Sequence, residues 1–77
     1  MKGSIMTRTQ IRLDTLSDVN RFVSEMARIS DEVWLEDGNG SRVSAKSMLG
    51  ALYSMEFAHI YCYCEKDISS HLMPWMV

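Results

Sequence analysis

The stretch that decides the fold is Glu32-Val33-Trp34-Leu35-Glu36-Asp37-Gly38-Asn39-Gly40-Ser41-Arg42-Val43-Ser44-Ala45, near the middle of the chain. Val33 and Leu35 alternate with Glu32, Trp34 and Glu36, the period of two expected of a strand with one buried face. Asp37-Gly38-Asn39-Gly40 is a strong turn signal, because Gly and Asn tolerate the positive φ that tight hairpins need. Ser41 to Ala45 then reads as the return strand, which makes the segment an antiparallel hairpin.

Working outward, residues 5–13 alternate again: Ile5, Thr7, Thr9, Ile11 and Leu13 fall on one face, and Met6, Arg8, Gln10 and Arg12 on the other. Thr15-Leu16-Ser17-Asp18 forms an N-cap cluster with acid in the first turn. Leu16, Val19, Phe22, Val23, Met26 and Ala27 follow helical spacing, predicting a helix over about residues 16–29. On the other side of the hairpin, Ser47 can cap a second helix carrying Met48, Leu49, Leu52 and Met55. Ile60, Cys62 and Cys64 share one face of a last strand, with Tyr61 and Tyr63 on the other. In the tail, Asp67 is a candidate cap, and Ile68, Leu72 and Trp75 lie at helical spacing. Pro74 requires that helix to be short or kinked near its end. The order βαββαβα implies an α+β domain over residues 1–77, an antiparallel four-stranded sheet with helices on one face. Ile11, Leu13, Phe22, Val23, Val33, Leu35, Val43, Leu52, Ile60 and Cys62 are expected to share its core.

Composition limits the function classes. At 77 residues the chain is about half of the ~150 residues typical of a domain, leaving room for one small core. A net charge of −2 supplies no footprint for nucleic acid or an anionic membrane, and the apolar runs are too short to span a bilayer. No signal-peptide pattern is read at the start, and two cysteines suit a reducing cytoplasm, so a cytoplasmic location is expected. There is no Ser-His-Asp set, Walker motif or Gly-rich phosphate loop, and no enzyme or cofactor is expected.

Val43-Ser44-Ala45-Lys46-Ser47-Met48-Leu49-Gly50 resembles the serine motif of the HPr family, the histidine-containing phosphocarrier proteins of the sugar phosphotransferase system. In that motif a strand leads into Lys-Ser, two aliphatics and glycine. Phe22-Val23, the Asp31 to Leu35 run and the Ile60 to Glu65 strand are similar to the family's first helix, second strand and fourth strand, so the resemblance covers roughly residues 11–70. It implies an HPr-like open-faced β-sandwich with strand order 1-4-2-3. The family's catalytic motif, Gly-(Ile/Leu)-His-Ala-Arg-Pro-Ala, belongs where the first strand meets the first helix. This chain has Asp14-Thr15-Leu16-Ser17-Asp18-Val19-Asn20 there, with no histidine to carry phosphate. His59 and His71 lie elsewhere in the order of elements.

The resemblance therefore implies a non-catalytic, regulatory module that docks a phosphotransferase-system or regulatory protein through Thr15, Ser17, Lys46, Ser47 and Met48. Ser47 is the regulatory phosphorylation candidate, since phosphate at a helix start meets free donors; the plainer reading is a helix cap. A phosphoryl carrier with an atypical acceptor is the alternative, and an unrelated structural or self-associating domain a third. Trp34, Tyr61 and Tyr63 are expected on the uncovered face, with Arg8 and Arg12 beside them. They read either as cross-strand packing or as an interface for a partner or for weak self-association. His59-x-x-Cys62-x-Cys64 invites a metal reading, but alternation turns the cysteines toward the core and His59 away, and no metal site is expected.

Overall fold

The computed structural model describes residues 6–77. Strand β1 spans Thr7–Ile11, helix α1 Leu16–Met26, β2 Val33–Glu36, β3 Arg42–Ser44, α2 Met48–Ser54, β4 Ile60–Cys64 and α3 Ser69–Leu72, which runs into a 3₁₀ turn at Met73–Trp75. The strands form one antiparallel sheet in the order β1-β4-β2-β3. The succession of elements and the strand order are those expected. Ile5, expected in the first strand, lies outside the described residues. Among the described residues no helix is long and apolar enough to cross a membrane.

Each element follows from local chemistry. Asp37 closes the β2–β3 turn by accepting the backbone N–H groups of Asn39 and Ser41, and Gly38 and Gly40 take positive φ there. Those two bonds hold the Asp37 carboxyl below its ordinary pKa. Helix α1 opens with a reciprocal capping box: Thr15 Oγ1 accepts the Asp18 N–H at 3.0 Å, while an Asp18 carboxylate oxygen accepts the Thr15 N–H at 3.2 Å. The helix ends at Met26 rather than 29, because Arg28 and Ile29 bond three residues back and tighten the last turn. At residue 50 an added Cβ would stand 2.8 Å from the Ser44 carbonyl, so glycine lets α2 lie close against β3.

Val33, Leu35, Ile60, Cys62 and Cys64 bury one face of the sheet against Val19, Phe22 and Met26 of α1, Ala51 of α2 and Leu72 of α3. Ile11 and Leu13 join them as expected, while Val23, Val43 and Leu52 are only partly buried against the cluster. Two leucines at helical spacing face solvent: Leu16 in the first turn of α1 is 63% exposed and Leu49 in the first turn of α2 is 79% exposed. In each case the helix is anchored by the residues following its first turn.

The tail locks the assembly. Thr7 donates its hydroxyl hydrogen to the Lys66 carbonyl and accepts the Ile68 N–H, both at 2.8 Å. Asp67 is not the N-cap of α3; that position is Ile68, and Asp67 instead accepts the N–H and hydroxyl of Ser69 in a local turn. Beyond the helix, Trp75 accepts the Arg12 N–H, Val77 donates to Gln10, and Met76 bridges Ile11, so the last residues pair with the outer edge of β1. The Trp75 ring meets Phe22 edge-on at 5.2 Å. Helix α3 is tied to α1 by His71 Nδ1, 2.7 Å from Glu25 Oε2.

Two outcomes follow. Trp75→Ala should cost about 3 kcal/mol in urea unfolding, the lower end of the range for a large ring removed from a core. The Glu25 carboxyl is held below its ordinary value by its hydrogen bond to His71, with the charge of Arg28 adding to the effect. The folded chain thus binds that proton less readily than the unfolded chain, so the contact stabilises fully above the ordinary value of 4.5 and is lost as the pH falls below it. The stability gap between wild type and Glu25→Gln should shrink on acidification, as read by urea midpoints at neutral pH and below that value.

Candidate functional site

The residues singled out in the sequence fall on two surfaces. The first runs along α2. Ser47 is the N-cap of that helix, and its Oγ accepts the Gly50 N–H at 3.0 Å while its residue remains exposed. Lys46 is not free to reach outward: its ammonium donates to the Ile29 carbonyl just past the end of α1. That bond places the start of α2 beside the end of α1, so the two helices run in opposite senses. Thr15 and Ser17 stand at the far end of α1, an 11-residue helix about 16 Å long. The two halves of the expected docking surface are therefore not adjoining.

Side chains on α2 span the distance between them. Met48 is 37% exposed, Leu49 79% and Tyr53 58%; Leu49 and Tyr53 are one helical turn apart. Tyr53 meets the half-buried Phe57 edge-on at 5.8 Å. Phe57 in turn lines a depression of about 190 Å³ with Met55, Leu13 and Asp14, at the entry to α1. An apolar stripe thus runs from Ser47 toward Thr15. The sequence shows Leu49 among the apolar residues of this helix, and only its exposure in the folded chain reveals the stripe.

At the entry to α1, one Asp18 carboxylate oxygen accepts the N–H groups of both Asp14 and Thr15. The capping box thus places a carboxylate where a phosphoryl group would otherwise find donors.

The second surface is the open sheet face. Trp34 and Tyr63 are directly paired, and Tyr61 lies between Gln10 and Glu36. All three rings are half-buried rather than bare, because arginines cover them. The Arg8 guanidinium lies 4.7 Å from the centre of the Tyr61 ring, and that of Arg42 lies 5.1 Å from Trp34 and 5.4 Å from Tyr63. Glu36 joins them: one oxygen is 3.5 Å from Arg8 Nε, and the other accepts two bonds from Arg42 at 2.6 and 3.1 Å. Arg12, expected over the tyrosines, pairs with Asp14 instead. The signal for Arg42 was its place in the return strand, opposite Glu36.

Cys62 and Cys64 point into the core, whereas His59 is exposed and 3.4 Å from the Gln10 amide. Among the described residues no three His, Cys, Asp or Glu side chains are grouped to hold a metal. Burial, with the neighbouring Cys64 adding, pushes the Cys62 thiol up to about 12. Because both cysteines are buried, they should resist iodoacetamide in the native protein near pH 8 and react once urea unfolds it, as counted by mass spectrometry.

No family model, curated protein or solved structure matches this chain.

Proposed function

We propose that this chain is an HPr-like regulatory module that works in the cytoplasm by docking a protein of the phosphotransferase system, without carrying phosphate on histidine. The observation that carries this reading is the exposed apolar stripe of α2, which begins beside Ser47 with Met48 and Leu49 and continues through Tyr53 toward the start of α1. An exposed apolar strip beside a polar helix start suits a partner with a matching apolar groove. The serine motif supplies the family assignment, and the absence of histidine between Asp14 and Asn20 supplies the non-catalytic part. Ser17, exposed at the far end, and Ser47 would flank the partner; Thr15 and Lys46 act by holding the two helix ends in place.

Ser47 then has two roles at one atom. Its hydroxyl caps α2, and phosphate on it would add charge at the edge of the apolar strip. Ser47→Ala should lose about 1 kcal/mol of stability through the missing cap, while Ser47→Asp should keep the fold and alter partner binding.

The test is titration of ¹⁵N-labelled protein with the general phosphotransferase enzyme, alongside incubation of the two with phosphoenolpyruvate. Shifts at Ser17, Met48, Leu49 and Tyr53, weakened by Leu49→Asp, with no acid-labile label on this chain, are the expected result. Acid-labile label would establish the alternative, a carrier with an atypical acceptor. An absence of shifts would overturn docking to this enzyme.

A further inference from the structure

We draw no further inference here: the strongest candidate, the depression on the open sheet face where Asp31, Glu32 and Glu65 meet Trp34 and Tyr63, is a cluster of acidic residues beside rings that Arg42 already covers, and no second feature among the described residues points to a ligand for it.

Discussion

Strand β4 is bonded on both sides, and its register sets every other relation in the molecule. Ile60, Cys62 and Cys64 all point into the core, and their pairing with Leu35 and Val33 on one side and Thr9 and Ile11 on the other aligns three strands at once. A slip by one residue would bring Tyr61 and Tyr63 under the helices and expose two cysteines, an exchange that the small core could not absorb. The same alignment fixes the open face, since Trp34 opposite Tyr63 and Glu36 opposite Tyr61 are the reverse side of the buried pairs.

On that reverse side, polar and aromatic groups satisfy one another. Glu36 would be a poor neighbour for a tyrosine ring by itself, yet with Arg8 and Arg42 it forms a linked set in which each guanidinium both bonds the carboxylate and lies over a ring. These contacts are partly solvated, so their individual worth is small. Their consequence is geometric: they keep the rings from presenting a bare apolar patch.

The helical side is organised by different means. Helix α1 satisfies its own first turn through Thr15 and Asp18, and α2 begins on Ser47 and lies close against β3 because residue 50 lacks a side chain. With only seven residues, α2 buries Ala51 and Ser54 and leaves Leu49 and Tyr53 outward. A helix this short cannot bury every apolar residue it carries, and the surplus forms its exposed stripe.

The sequence by itself determined the element order, the buried face of each strand, the hairpin turn and both helix caps, because each rests on residues near one another in the chain. Alternation placed Val33, Leu35, Ile60 and Cys62 inward, and Thr15 and Ser47 announced their helices by side-chain chemistry alone. The serine motif, for its part, pointed to a family and to the strand order that is observed, and the want of a histidine in residues 14–20 was equally plain. What tertiary structure decided were relations across long separations. Lys46 reaches the Ile29 carbonyl, Thr7 clamps the chain at Lys66 and Ile68, and the last residues pair with β1. Leu16 and Leu49 are among the apolar residues read on the two helices, yet packing leaves both outside the core. Helical spacing states which residues share a side of a helix, but which part of that side is covered depends on where the neighbouring elements end.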